Sequence, residues 1–249
     1  MTNNSIPKII HYCWFGGKDF PTSAKKCLES WKKFFPDYEI KEWNESNFDI
    51  KLCDYVKEAY AAKKWAFVSD YARFWILYHE GGLYFDTDVE IIKDMHEIVK
   101  HGAFMGCEVS YKCGFDLAAN PGLGLGANSG LKLYKELIDY YDSIHFSVED
   151  GQMLTVVDHT SKVLRQHGWR GDGRIEKIEN VFIYPPEYFC PLDYTTGKLN
   201  ITDNTYSIHW YTASWQSKYS HLKTKIQHFL GEKATQNIIR LKRMIKGKK

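Results

Sequence analysis

Apolar and polar positions follow two rhythms along this chain, a period of about two and a period of about 3.6, and the switches between them read strand, helix, strand from the start. Ile6 to Gly17 opens with a short apolar run that stops at two glycines, so a first strand is predicted to finish near Trp14. Ala24, Leu28, Trp31 and Phe35 then share one side of a helix over 22–35, which Pro36 stops. Tyr38–Trp43 alternates as a second strand, and the polar stretch 44–47 breaks it. Helices over 52–62 and 64–79, a strand at 83–85 and an apolar strand near 103–107 continue the series, followed by helices near 130–142 and 151–167. Residues 181–191 form a strand running into a proline-stiffened turn, and Tyr206–Trp215 holds a short strand with His209 at its end. Such alternation implies an α/β layer structure with a mostly parallel central sheet. Ligands of such sheets bind beyond the carboxyl ends of the strands, which brings Trp14 and the acidic pair Asp86/Asp88 to one cleft.

The helix at 64–79 and the strand after it carry the densest chemistry. Phe67, Tyr71, Phe74 and Tyr78 recur at spacings of three and four, Trp75 widens that stripe, and the helix is therefore expected to be largely buried. Asp70 and Arg73 lie three apart on its flank. They are either a weak intrahelical pair or, because burying charge is costly, the lining of a polar pocket. Gly81 and Gly82 stop the helix, and Leu83, Tyr84 and Phe85 lead into Asp86-Thr87-Asp88, the sole Asp-x-Asp of the chain. Side chains two apart on an extended chain share a face, so the two carboxylates can share one hard divalent cation while Thr87 turns away; the alternative for an Asp-x-Asp pair is a solvated strand end or turn. His209 is either a packed aromatic-core residue or a third metal ligand or phosphate contact.

Between Asn120 and Gly130 the chain is rich in glycine. Gly122, Gly124 and Ala127 formally match a dinucleotide fingerprint, but neither a preceding strand nor a ribose-binding acid supports it, and the stretch reads as a flexible loop on the acceptor side of the cleft.

At 249 residues, 44% hydrophobic and 16% aromatic, the chain has the composition of a globular protein. Its net charge of +2 conceals a division: from Lys218 onward there are ten Lys or Arg against one acid, which leaves 23 basic and 30 acidic groups before it. An acidic body argues against nucleic acid as a partner. The division suggests a main domain over 1–217 and a basic, amphipathic helical tail over 218–249, the latter either a solvated helix or a peripheral contact with an anionic membrane. Six scattered cysteines without Cys-x-x-Cys spacing suit free thiols. No membrane-span or signal-peptide pattern is present, so a cytoplasmic location, at most at the inner membrane surface, is expected.

Three blocks together resemble the metal-dependent glycosyltransferases of family 32, a group spanning capsular polysaccharide and lipo-oligosaccharide transferases, fungal initiating mannosyltransferases and clostridial glucosylating toxins. The resemblance runs from Ile6 to Trp215. His11–Gly17 is similar to the first strand of that family, with Trp14 stacking on the donor's uracil and Cys13 beside it. Ser69–Arg73 continuing to Gly81–Asp88 is the most specific block. It implies that Ser69, Asp70 and Arg73 hold the donor's sugar and ribose-phosphate region, that Tyr84 contacts the nucleotide, that Asp86 reaches the ribose or a metal-bound water, and that Asp88 ligates the metal. His209 through Ser214 and Trp215 resembles the closing motif over the diphosphate, although an acidic ligand used by the toxins is missing there. The family implies a GT-A type, Rossmann-like domain, a UDP-sugar donor, Mn²⁺ or Mg²⁺, a glycan or lipid-linked glycan acceptor, and retention of anomeric configuration, with Asp70, Arg73, Asp86 and Asp88 as the catalytic group. A metal-dependent nucleotide-sugar hydrolase and a non-catalytic carbohydrate-binding protein are the rival readings.

Overall fold

A computed structural model describes residues 5–110, 116–147 and 154–212. The elements run β1 (Ile9–Cys13), α1 (Thr22–Phe34), β2 (Glu39–Trp43), α2 (Asp54–Ala61), α3 (Trp65–Glu80), β3 (Gly82–Tyr84), β4 (Val89–Ile91), α4 (His96–His101), β5 (Phe104–Ser110), β6 (Asp116–Ala127), α5 (Lys132–Asp142), α6 (Val156–Gln166), β7 (Glu176–Ile178), β8 (Val181–Tyr184), α7 (Pro186–Phe189) and β9 (Ser207–His209). Seven strands form one sheet in the order β2-β1-β3-β6-β5-β8-β7, while β4 and β9 make a separate two-stranded ribbon. Strands β1, β2 and β3 run parallel, β6 runs against β3 and β5, β8 follows β5, and β7 opposes β8. Five of the seven strands thus share one direction, the mostly parallel α/β sheet that the sequence implies.

Both faces of the sheet are covered, which is why its central strands read as apolar runs. Helices α2, α3, α5 and α6 bury Tyr55, Phe67, Phe74, Leu137 and Leu164 on one face. On the other, α1, α4 and α7 bury Trp31, Ile98 and Phe189. Helix α3 is the most deeply set, as its aromatic spacing predicts: nine of its residues are buried, Asp70 and Arg73 among them. It ends where Gly81 adopts φ 68°, its N–H still bonded to the Leu77 carbonyl. A side chain there would require the disfavoured left-handed region and would meet the Ser129 amide at 2.8 Å. Within two residues the chain is back in the sheet, with Leu83 opposite Ile10 of β1 and Gly126 of β6.

Two expectations fail. The glycine-rich stretch 120–130 is no flexible loop: most of it belongs to β6, the strand inserted between β3 and β5. Its glycines provide clearance, since a Cβ at Gly126 would lie 2.3 Å from the ring of Phe104. The β5–β6 register jumps between Met105 and Gly106, from Leu125 to Asn120, so Pro121–Gly124 bulges out of the β5 ladder. Secondly, Asp86 and Asp88 are not on an extended strand. They occupy the turn between β3 and β4, closed by the Val89 amide on the Asp86 carbonyl.

Among the described residues no helix is long and apolar enough to cross a membrane. The five described cysteines, Cys13, Cys27, Cys53, Cys107 and Cys190, are free thiols. The basic tail, Ser214, Trp215 and Cys113 lie outside the described residues.

Candidate active site

The carboxyl ends of β1 and β3 point the same way because the two strands are parallel, so Trp14 and Asp86 leave the sheet on one edge. A cavity of about 870 Å³ opens there, lined by Cys13, Trp14, Ser69, Asp70, Arg73, Tyr84, Asp86, Asp88 and His209 together with Thr87. Every described residue expected at the site therefore reaches one cavity. Thr87 does not turn away, because a turn rather than a pleated strand carries the Asp-x-Asp unit.

Each carboxylate is held differently. Asp88 is the more constrained: its Oδ2 accepts bonds from the Thr212 amide at 2.8 Å and the Thr212 hydroxyl at 3.0 Å, and its Oδ1 lies 3.0 Å from His209 Nε2. The β4–β9 ribbon makes this possible, since Val89 pairs with His209 and the Trp210 amide donates to the Asp88 carbonyl. Burial raises the Asp88 pKa, but His209 and Thr212 outweigh it and hold the carboxyl well below the ordinary range. His209 is shifted upward: burial lowers its pKa, and the carboxylate of Asp88 more than reverses that.

Asp86 accepts the Tyr84 hydroxyl at 3.1 Å and faces Arg73 Nη1 at 3.4 Å. Arg73 joins the two acidic positions, because its Nη2 also donates to Asp70 at 2.8 Å, its Nε donates to the Ser69 carbonyl at 3.0 Å, and its guanidinium lies 5.0 Å from the centre of the Tyr84 ring. Asp70 is pushed up to about 7: burial is the main cause, Asp86 adds repulsion, and Arg73 and the Val156 amide at the start of α6 oppose it. The pair at 2.8 Å thus does not restore an ordinary acidity, since desolvation outweighs one attraction. Cys13, behind Arg73, is pushed up to about 12 by burial and is a packed thiol rather than a thiolate.

Asp86, Asp88 and His209 each offer one ligand atom, and these atoms lie within 4.8 Å of one another. Three features of the chain fit a divalent cation here. The donor set of two carboxylates and an imidazole is of metal-binding type. His209 Nδ1 is buried without a hydrogen-bond partner among the described residues, an orphaned polar atom that a further ligand would satisfy. Gly122 on the β6 bulge leaves room beside Asp86, for a Cβ there would lie 2.2 Å from Asp86 Oδ2. Trp14 stands at the cavity wall with its Nε1 donating to the Lys18 carbonyl at 2.7 Å and its ring edge-on to Phe20.

Sequence reasoning missed Gly122, Asn120, Glu108, Tyr211 and Thr212. The glycines were visible as a cluster but not as clearance for a carboxylate. Tyr211 and Thr212 sit inside the closing block, where only the β4–β9 pairing shows that they bear on Asp88. Glu108 gave no signal, being one acid at the end of an apolar strand.

A mostly parallel α/β sheet with an Asp-x-Asp turn and a cation-type donor set at its carboxyl edge is the arrangement that the resemblance to DXD-containing sugar transferases implies. Residues 21–105 match the family described as the glycosyltransferase sugar-binding region containing DXD motif. Inositol phosphoceramide mannosyltransferase 1 of Schizosaccharomyces pombe (strain 972 / ATCC 24843) is 28% identical over 111 residues, which is 40% of this chain and 33% of that protein. The chain therefore spans about a third of the length of that curated relative. Among solved structures, PaToxG glycosyltransferase aligns with a TM-score of 0.48 at 17% identity, over 65% of this chain and 69% of that one. A glycosyltransferase involved in the glycosylation of the major capsid of PBCV-1 aligns with a TM-score of 0.48 at 12% identity, over 89% and 99%. The galactosyltransferase LgtC in complex with donor and acceptor sugar analogs aligns at 0.45 and 15%, over 89% and 94%.

Proposed function

We propose that this chain transfers a hexose or N-acetylhexosamine from a UDP-sugar to a hydroxyl of a glycan or lipid-linked glycan, with a divalent cation held by Asp86, Asp88 and His209. The observation that carries this reading is the convergence of those three ligand atoms within 4.8 Å, in a cavity that also contains Trp14 and Arg73. When bound, Mn²⁺ or Mg²⁺ acts as a Lewis acid on the diphosphate as negative charge develops there. The imidazole in the donor set favours Mn²⁺ of the two.

The chain's own residues do the remainder. Trp14 offers an indole face to the nucleobase. Arg73, already fixed by Asp70, Asp86 and Ser69, contributes permanent positive charge toward the leaving diphosphate without having to reorganise. Tyr84 and Arg73 orient Asp86, and Thr212 orients Asp88, so the carboxylates are held before any ligand arrives. In the transfer, the bond between the anomeric carbon and the diphosphate oxygen breaks with its electron pair leaving on oxygen, and a bond forms from that carbon to the acceptor oxygen. The acceptor proton passes to the departing phosphate. Attack on the face the diphosphate leaves retains configuration and requires no protein nucleophile. Segment 186–200 also lines the cavity, with Glu187, Asp193 and Tyr194 among its residues.

The test is consumption of UDP-glucose, UDP-galactose and UDP-N-acetylglucosamine, with and without Mn²⁺ and a glycan acceptor, for the natural protein and Asp88→Asn. Turnover that requires both metal and acceptor, and that Asp88→Asn abolishes, is expected. Donor loss at equal speed without acceptor would select the hydrolase, and glycan binding with no response to UDP would select the binding protein.

A further inference from the structure

Glu108, at the end of β5, is a second kind of acid in this cavity. Among the described residues the site's ion pairs are Asp70 and Asp86 with Arg73 and Asp88 with His209; Glu108 belongs to none of them, although its charge helps to raise the His209 pKa. It is held by neutral donors instead: Asn120 Nδ2 and the Tyr211 hydroxyl both donate to the same oxygen, Oε2, each at 2.7 Å. Among the described residues Oε1 accepts no hydrogen bond, and Glu108 lines the cavity.

Both holding residues are themselves fixed. Asn120 Oδ1 accepts the Gly122 amide at 2.8 Å, which ties it to the β6 bulge beside Asp86. Tyr211 adopts φ 50°, a left-handed conformation that side chains disfavour, with its ring 4.1 Å from that of His209. Its hydroxyl lies 3.0 Å from Cys190 Sγ. Strain of this kind persists where the surroundings over-determine it, and here it delivers a hydroxyl to Glu108. A carboxylate fixed on one oxygen and, among the described residues, without an ion-pair partner keeps acceptor capacity for groups that can donate to it, and sugar hydroxyls are such groups.

We infer that Glu108 reads the transferred sugar: its Oε1 accepts hydrogen bonds from that sugar's hydroxyls, while Oε2 is occupied by Asn120 and Tyr211. This inference rests on the sugar-transfer reading above. It makes Glu108 a determinant of donor choice, separate from the group that binds the nucleoside diphosphate.

The chemistry of Oε2 provides a sharp variant. In Glu108→Gln the two donors from Asn120 and Tyr211 still require an oxygen, so the amide must turn its NH₂ to the Oε1 position. Volume and both internal bonds are kept while the cavity-facing acceptor becomes a donor. With Mn²⁺ present, calorimetric titration of UDP, UDP-glucose, UDP-galactose and UDP-N-acetylglucosamine into the natural protein and Glu108→Gln is expected to give unchanged UDP affinity. The affinity of the preferred UDP-sugar should fall roughly 10- to 100-fold, the span of a lost hydrogen bond to a charged group. Tyr211→Phe, which keeps the ring on His209, should lower the same UDP-sugar to UDP ratio by a smaller factor, and it carries the test if Glu108→Gln melts early. An unchanged ratio in a folded variant overturns the assignment while leaving the metal site intact. Absence of Mn²⁺-dependent UDP binding in the natural protein overturns the sugar-transfer reading itself, and this assignment with it.

Discussion

Replacing Gly122 with alanine adds one methyl group and is expected to disable the cation site without unfolding the protein. An ideal Cβ at that position lies 2.2 Å from Asp86 Oδ2 and 3.0 Å from Asn120 Oδ1. An ordinary carbon–oxygen contact is about 3.3 Å, so Asp86 must retreat by about 1 Å. It has nowhere neutral to go, since Tyr84 and Arg73 already fix its other side. Metal ligands tolerate only about 0.2 Å of error, and a 1 Å misplacement costs about 10²-fold in rate, close to 2.7 kcal/mol of transition-state stabilisation. Gly122 does not occupy the left-handed region, so its backbone accepts alanine. The assay pairs Mn²⁺ titration and UDP-sugar turnover with a urea melt, for Gly122→Ala, Asp86→Asn and the double variant. Because the methyl acts through Asp86, the two losses should not add. Full Mn²⁺ affinity in Gly122→Ala, or strictly additive losses, would refute the reasoning.

Three further outcomes follow from buried polar groups. Arg73→Met leaves Asp70 and Asp86 facing each other without compensation, and urea denaturation should register a loss of about 3–5 kcal/mol, whereas Asp70→Asn should cost less because that carboxyl is pushed up to about 7. His11 is buried and neutral, its Nε2 donating to the Gly81 carbonyl at 2.9 Å and its Nδ1 accepting from the Trp43 indole at 3.0 Å, and burial lowers its pKa to about 4. That value lies below the unfolded one near 6.5, so the unfolded chain takes up the proton first; stability is complete above pH 6.5 and falls by up to about 3 kcal/mol as pH drops toward 4, a slope that should flatten in His11→Gln. Trp31→Phe strands the Val89 carbonyl, which now accepts the indole N–H at 2.8 Å, and a thermal melt should show a loss of about 1–3 kcal/mol from the turn that carries Asp88.

Much of this architecture was legible because its signals are local. Aromatic spacing in α3, the double-glycine stop and the apolar run into Asp86 are written in consecutive residues, and the parallel layering follows from the alternation of elements. What escaped was set by distant parts of the chain. Nothing in residues 120–127 states that their glycines make room for Asp86 and Phe104, so a strand passed for a loop. Thr212 reaches Asp88 only because β9 pairs with β4, and the turn that brings Asp86, Asp88 and His209 together is a consequence of that same ribbon.

Anomalous diffraction at the manganese edge from crystals grown with UDP and Mn²⁺ would examine the cation site most directly. A peak bonded to Asp86, Asp88 and His209, with the diphosphate completing its shell and the uracil against Trp14, is expected. Manganese bound elsewhere, with His209 still paired to Asp88 and the cavity free of nucleotide, would contradict the assignment.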